Sequence, residues 1–196
     1  MLSSYLELRY QMVGLGGEVY RQLGAAVVLL SAGDIVQALR SGAIDACEWA
    51  GPWLDTEMGL HRAAAHYYYP GWHEPTGAVS LGVNRKVWDG LDEHDRQLIE
   101  IACASEYALS LAEFDAKNAA ALRALREDDA ISIRRFDDAM LATFAEIGAD
   151  LVADAGSGDE LARRIHVSHD RFLSSIRGWS DVGKGAYLSA RASLGR

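Results

Sequence analysis

Short apolar runs alternate with segments of helical periodicity along the first half of the chain. Apolar and β-branched residues predict strands at residues 5–13 and 25–30, and a short strand from Ala43. The GLGGEV turn leads into a short helix that ends near Leu23, and residues 33–42 predict a second helix with a glycine stop. Alternating strands and helices of this length predict an α/β layer with a mainly parallel sheet.

The next elements complete this α/β half and then give way to helices. Pro52 fits the first turn of a helix, because the N–H groups there have no partner within the helix. Apolar and polar residues alternate over residues 77–84, which predicts a strand. Further along, alanine and leucine at helical spacing predict three long helices around one short strand, ISIRRF. These helices cover residues 92–126, 137–155 and 159–193. We therefore expect an α/β lobe over residues 1–91 and a helical region with one short strand over residues 92–196.

Composition and charge narrow the class of protein. With 196 residues and 49% hydrophobic composition, the chain can bury a core. Its longest apolar run, AAVVLL, is far shorter than the roughly 20 residues that span a bilayer. A net charge of −9 without a cluster of Lys or Arg argues against a nucleic-acid partner, because phosphate binding needs concentrated positive charge.

The N-terminus and the cysteines bear on location and redox chemistry. The opening MLSSYLELRYQ lacks a basic region, an apolar core and a cleavage site, so it is no secretory signal and the chain as printed would stay in the cytoplasm. Cys47 and Cys103 fall on different predicted elements without nearby histidine ligands, so neither a zinc site nor a disulfide framework is expected. Both cysteines are expected to be small buried side chains.

Two acidic residues among aromatic rings carry the candidate chemistry. Glu48 and Trp49 follow a predicted strand, and ligands of open α/β sheets bind at the carboxyl ends of strands. Glu74 lies in YYYPGWHEPTG, which is either an awkward loop of core residues or a pocket lining. Two carboxylates in an apolar site repel each other and normally need a cation, a shared proton or an arginine. A metal held by carboxylates and backbone oxygens would satisfy both, whereas Glu48 alone could simply neighbour a helix N-cap.

Other motifs in this region are weaker. GLGGEV has Val19 where a dinucleotide fingerprint needs its third glycine, which leaves a tight turn or a carboxylate-sized anion at the helix start. His61, His66 and His73 include no i, i+4 pair, so we expect packing or surface histidines, with His73 next to the candidate pocket. A carboxylate pair can hydrolyse glycosides, but no nucleophile motif is present and catalysis is disfavoured.

Three motifs together resemble a known family. GLGGEVYRQLGA, GDIVQALRSGAIDACEWAGPW and YYYPGWHEPTG, in this order and spacing, strongly resemble the periplasmic solute-binding subunits of TRAP transporters, the DctP family. The likeness is greatest to the branch that binds 2-oxo acids and related carboxylates, and it runs from about Gln11 to the C-terminus. It implies one lobe of a periplasmic-binding-protein type II-like fold, in which a mixed sheet is flanked by helices and followed by long C-terminal helices.

The resemblance also implies a function and a set of site residues. Members of the family close two α/β domains on a carboxylate ligand and hand it to membrane permease subunits in the periplasm, without turnover. In this branch a metal cation, sodium or calcium, bridges to the substrate. Glu48, the Trp49 carbonyl and Glu74 match the positions of its ligands. The rings of Trp49 and Trp72 match the walls of the substrate pocket.

Two features depart from the family pattern. Gln11 stands where members carry an arginine that pairs with the ligand carboxylate, and Arg9 could replace it only if displaced along the strand by about 7 Å. Complete members are also much longer, so we expect the C-terminal portion of such a protein, with residues 92–196 bridging to an N-terminal lobe. Its terminal helices are expected to bury apolar surface in a homodimer. Two alternatives stay open, namely a non-binding remnant that forms a helical dimer and a small metal-dependent enzyme that uses Glu48 and Glu74.

Overall fold

A three-stranded parallel sheet organises the first part of the chain. The structure is a computed structural model that describes residues 7–74, 77 and 79–195. The strands β1 (Arg9–Gln11), β2 (Ala26–Val28) and β3 (Ala46–Cys47) are arranged in the order β2-β1-β3. Tyr10 in the central strand is in register with Val27 on one side and Ala46 on the other. All three strands are parallel, so their carboxyl ends meet at one edge of the sheet.

Two helices connect these strands and supply part of the core. Helix α1 (Gly14–Gln22) follows β1, and α2 (Ala32–Ser41) follows β2. Gly42 ends α2 in the left-handed region, with φ of 71°, which only glycine adopts without strain. Ile35 of α2 is fully buried and packs with Ile44 and Leu60, two apolar residues from later turns. The alternation of strands and helices predicted for this region is confirmed.

A second parallel sheet joins residues that lie far apart in sequence. Helix α3 (Pro52–Met58) and a short 3-10 turn lead into β4 (His66–Tyr69), which pairs in parallel with β5 (Ser132–Arg135). The strand expected in ISIRRF is therefore confirmed. Strand β4 was not predicted, because HYYY resembles a pocket lining as much as a strand.

Three predicted elements need correction or fall partly outside the description. The expected strand at residues 77–84 is wrong for the residues that are described there, which have no regular structure. Residues 5, 6 and 78 of the predicted strands, and residues 75 and 76 of the aromatic motif, lie outside the described residues. The sequence also failed to predict α4 (Arg85–Gly90), a short helix that Asn84 caps by accepting the N–H of Lys86 at 2.9 Å.

Long helices fill the rest of the chain, as the sequence predicts. Helix α5 (Glu93–Glu127) begins at an N-cap in which Asp92 accepts the N–H of Asp95 at 2.8 Å. Helix α6 (Asp138–Gly156) follows β5. None of the helices described is long and apolar enough to cross a membrane.

The chain forms two compact units, residues 1–144 and 145–196. The second unit contains the end of α6 together with α7 (Glu160–Val182) and α8 (Lys184–Ser193). The single helix expected over residues 159–193 is interrupted at Gly183, where a Cβ would lie 2.8 Å from the carbonyl oxygen of Trp179. The division into a lobe at residues 1–91 and a helical region at 92–196 stays a prediction, while the α/β class with long C-terminal helices is confirmed.

Candidate functional site

Gln11 and Glu48 meet at the carboxyl edge of the first sheet. Gln11 ends β1 and is only 3% exposed, and its backbone carbonyl accepts the N–H of Glu48 at 3.1 Å. Glu48 directly follows β3, which the pairing of β1 with β3 brings beside Gln11. The side-chain oxygen Oε1 of Gln11 is buried and has no hydrogen-bond partner among the described residues. A buried acceptor of this kind normally receives a hydrogen bond, so Oε1 of Gln11 lacks a donor among the described residues at this edge.

His73 brings the aromatic segment to the same edge. Its Nε2 lies 3.5 Å from the Glu48 carboxylate, and both side chains are 17% exposed. The ring packs over the start of α1, where a Cβ on Gly16 would lie 3.0 Å from it. Sequence reasoning treated His73 as a packing or surface residue and missed its contact with Glu48. The adjacency of His73 and Glu74 was the only available signal.

Trp72 forms part of a cluster of packed rings. Its ring stacks on Phe144, with centroids 4.6 Å apart and planes inclined by 26°. Tyr20 lies between Trp72 and Tyr10, with centroid distances of 6.0 and 4.4 Å respectively. Offset and edge contacts of this kind fix ring orientations. Trp72 is therefore packed on two sides, by Phe144 and by Tyr20.

The remaining predicted residues, Trp49 and Glu74, are exposed. Trp49 follows Glu48 in sequence and is 40% exposed, and Glu74 follows His73. The contact between His73 and Glu48 thus brings together the two segments that contain all of the predicted cation ligands. Their assignment as ligands stays a prediction.

The segment after Glu48 is held by three side chains. Oδ1 of Asp55 accepts the N–H groups of Ala50 and Gly51 at 3.2 and 3.0 Å. Its other oxygen accepts the Tyr67 hydroxyl at 2.6 Å, and Oδ1 of Asn118 accepts the N–H of Trp53 at 2.9 Å. Pro52 has no N–H. At the N-terminus of α3, normally a site for anions, the N–H groups of Ala50, Gly51 and Trp53 are therefore bound within the protein.

Burial and neighbouring acids shape the electrostatics of this edge. Burial, followed by the charges of Asp55 and Glu48, raises the pKa of the Cys47 thiol to about 12. Burial also raises the pKa of Asp55, although hydrogen bonds from Tyr67 and from the Gly51 and Ala50 N–H groups oppose the effect. Neither Glu48 nor Asp55 forms an ion pair with Lys or Arg in the part of the chain that is described. The edge is rich in acceptors and negative charge.

These groups suit a cation held by few protein side chains. Among residues 7–74, 77 and 79–195, no three side chains of His, Cys, Asp or Glu are close enough to hold a metal ion. A cation here would rely on carboxylate, backbone and substrate oxygens, which are the ligands that sodium and calcium take. Carboxylates without a Lys or Arg partner in the described part of the chain, beside N–H groups that are bound within the protein, fit such an open site.

Other candidate features lie elsewhere or have partners. Arg9 is bound by Asp45 and is not free to replace an arginine at Gln11. A cavity of about 590 Å³ lies beside His61, Arg62 and Asp128, in loops that precede β4 and β5. It is therefore at the amino ends of those strands, and neither Gln11 nor Glu48 lines it. Cys103 is exposed on α5, so the expectation that it is buried is wrong.

The sequence matches the profile of one known family. The profile of the DctP family, bacterial extracellular solute-binding protein family 7, covers residues 4–158. The chain belongs to this family. Among curated relatives, the chain is similar to the monocarboxylate 2-oxoacid-binding periplasmic protein of Nostoc sp., with 33% identity over 95% of this chain and 51% of the relative. This DctP chain thus spans about half the length of that relative.

Solved structures of the same family resemble this DctP chain in fold. A TRAP transporter solute-binding protein from Bordetella bronchiseptica, with calcium and picolinate, is 29% identical with a TM-score of 0.89 over 96% of this chain and 57% of that one. One from Colwellia psychrerythraea, with calcium and pyruvate, is 26% identical with a TM-score of 0.87. The match covers 97% of this chain and 58% of that one. One from Pseudoalteromonas atlantica, with sodium and pyruvate, is 27% identical with a TM-score of 0.82. The match covers 96% of this chain and 57% of that one.

Proposed function

We propose that this chain is the ligand-binding half of a TRAP-type solute-binding protein that takes a small carboxylate, such as a 2-oxo acid, together with calcium or sodium. The family is a transport component, and related structures hold such acids with these cations. The chain binds and does not turn over its ligand. Its partners are the ligand and the membrane permease subunits, and it works in the periplasm, where its named relative acts.

The arrangement of Glu48 carries this proposal. Glu48 lies at the carboxyl edge of a parallel sheet, where α/β proteins bind ligands, and it has only His73 as an ion-pair partner among the described side chains. The N–H groups of Ala50, Gly51 and Trp53 are already bound by Asp55 and Asn118, so these donors are not available to an anion. A cation stabilises such a site, whereas an anion alone would be repelled.

Each predicted site residue has a role in this proposal. Glu48, the Trp49 carbonyl and Glu74 hold the cation, which neutralises the acids and attracts the ligand carboxylate. The rings of Trp49 and Trp72 form the walls, and the packing of Trp72 on Phe144 keeps its wall in place. Gln11 reaches the ligand with an amide in place of the arginine that this branch carries.

Calorimetry on the 196-residue chain tests the proposal. Pyruvate is titrated in calcium, in sodium and in excess chelator, with Glu48→Gln as the matched variant. We expect weak binding that requires a cation and is lost in Glu48→Gln. Turnover of a 2-oxo acid would instead support the metal-dependent enzyme. Absence of both binding and thermal stabilisation with every cation would support the non-binding remnant.

A homodimer through α7 is part of the same proposal. The helix carries an exposed apolar stripe at helical spacing, with side chains 37% to 67% exposed: Leu161, Ile165, Phe172, Ile176 and Trp179. The Bordetella protein is a mixed-occupancy dimer in its crystal structure, which favours a second copy as the partner of this stripe. We expect sedimentation to give a dimer at micromolar concentration and Phe172→Glu to give a monomer. A compact monomer of the unchanged chain would contradict the dimer.

A further inference from the structure

We infer that Asp55, Tyr67 and Asn118 form a clamp that positions the cation ligands Glu48 and Trp49 without touching the cation. The inference rests on the proposed function and adds positioning residues to it. The clamp is defined by the hydrogen bonds from Tyr67 to Asp55, from Ala50 and Gly51 to Asp55, and from Trp53 to Asn118.

The clamp fixes the short segment from both ends. At its start, the N–H of Glu48 is bound to the Gln11 carbonyl of β1 at 3.1 Å. At its end, Asn118 of α5 holds the N–H of Trp53, and a Cβ on Gly51 would lie 3.2 Å from the Asn118 Oδ1 atom. Gly51 has φ of 134°, a conformation that favours glycine, so a side chain at this position would be strained as well as close to Asn118. The Trp49 carbonyl lies between these fixed points.

Asp55 ties this segment to the second sheet. Its side chain is 8% exposed and accepts three hydrogen bonds, the shortest of them 2.6 Å from the Tyr67 hydroxyl of β4. Strand β4 continues into the segment that contains His73 and Glu74. The same hydrogen bond therefore links the segments that contain Glu48 and Glu74. Residues that orient metal ligands from behind commonly change metal affinity by about 10–100-fold when they are removed.

The Lys117 and Phe114 side chains strengthen the contact between α5 and α3. The ammonium of Lys117 lies 3.9 Å from the centroid of the Trp53 ring, and Phe114 packs edge-on against the same ring at 4.9 Å. Asn118 follows Lys117 directly in α5, so these contacts lie beside the hydrogen bond from Trp53 to Asn118. The stretch of α5 that carries Asn118 is thus held against Trp53 by two further contacts.

The test measures calcium affinity with pyruvate present, at a temperature where every variant is folded. Tyr67→Phe removes the hydroxyl that reaches Asp55, and Asn118→Ala removes the contact at the other end. Tyr68→Phe is the matched control, because Tyr68 lies next along β4, is 46% exposed and stacks on Phe136. Amide hydrogen exchange of Ala50, Gly51 and Trp53, measured without cation, is the second readout.

We expect Tyr67→Phe and Asn118→Ala each to weaken calcium binding by about tenfold and to speed exchange of the clamped amides, while Tyr68→Phe matches the unchanged chain. Equal calcium affinity in all four proteins would overturn the clamp and leave the proposed function intact. If the unchanged chain binds no cation with pyruvate, both proposals fail. If Tyr67→Phe does not fold, the calcium affinity of Asn118→Ala tests the clamp by itself.

Discussion

Arg9 and Asp45 are joined by two parallel side-chain hydrogen bonds, from Nε to Oδ2 at 2.9 Å and from Nη2 to Oδ1 at 2.7 Å. The Asp45 carboxylate also accepts the backbone N–H of Arg9 at 2.8 Å. This fork holds the pKa of Asp45 below its ordinary value, and the side-chain hydrogen bond from Arg9 is the largest cause. Because Asp45 binds the Nε and Nη2 groups of Arg9 at the start of β1, that fork of the guanidinium is not available where Gln11 ends the strand.

Restoring an arginine at position 11 should strengthen carboxylate binding. A charge-assisted hydrogen bond is worth about 1.5–3 kcal/mol, and about 1.4 kcal/mol corresponds to a tenfold change in affinity. Gln11→Arg should therefore bind pyruvate at least about tenfold more tightly in calcium, as measured by calorimetry. Gln11→Lys is the control, since it supplies charge without the planar fork and should gain less. Equal affinity of the unchanged chain and Gln11→Arg, both folded, would contradict this.

Removing Arg9 should leave ligand binding unchanged. The Arg9 side chain is 45% exposed, but the Nε and Nη2 edge of its guanidinium already binds Asp45, so it cannot offer that fork to a ligand. Arg9→Ala should bind pyruvate with the affinity of the unchanged chain by calorimetry. Asp45→Ala is the matched variant, because it frees Arg9 without altering Gln11. Stronger binding in Asp45→Ala would show that a freed Arg9 reaches the ligand.

The sequence predicted the location of Glu48 because local patterns determine it. A strand that ends at Cys47 and pairs beside β1 must place the next residue at the carboxyl edge. The partners of that edge were harder to predict. Asn118 lies 65 residues from Trp53, and Tyr67 lies 12 residues from Asp55, so neither contact follows from periodicity. Strand β4 was missed for a related reason, because its partner β5 follows a 35-residue helix.

The two cysteines should differ widely in reactivity. Only the thiolate reacts readily with alkylating or disulfide reagents, and the pKa of Cys47 is about 12 because of burial and nearby carboxylates. Cys103 is exposed on α5. We expect one fast and one slow thiol in a reagent time course at neutral pH, with the fast phase absent in Cys103→Ser. A slow phase that survives in Cys47→Ser would contradict the assignment.

Asp55 should make the cation-free chain more stable in mild acid. Burial raises its pKa in the folded state above the unfolded value, so the folded state binds the proton more tightly. The stability contributed by this group is therefore present below the unfolded pKa and is lost as the pH rises through the folded pKa. Denaturant unfolding in chelator should show this gain on acidification in the unchanged chain and less of it in Asp55→Asn. Identical pH profiles of the two proteins would refute it.

Loss of either acid should weaken stabilisation by calcium, and Glu48 should matter more than Glu74. Glu48 is only 17% exposed, lies at the strand edge beside Gln11, and has His73 at 3.5 Å, whereas Glu74 is exposed. A less exposed carboxylate interacts more strongly with a cation because water screens it less. With saturating pyruvate, the calcium-dependent rise in melting temperature should be nearly lost in Glu48→Ala and reduced in Glu74→Ala. Glu57→Ala is the control, since Glu57 is exposed on α3 and accepts the Trp53 indole N–H at 2.7 Å. Equal calcium-dependent shifts in the unchanged chain, Glu48→Ala and Glu74→Ala would exclude a cation shared by these two acids.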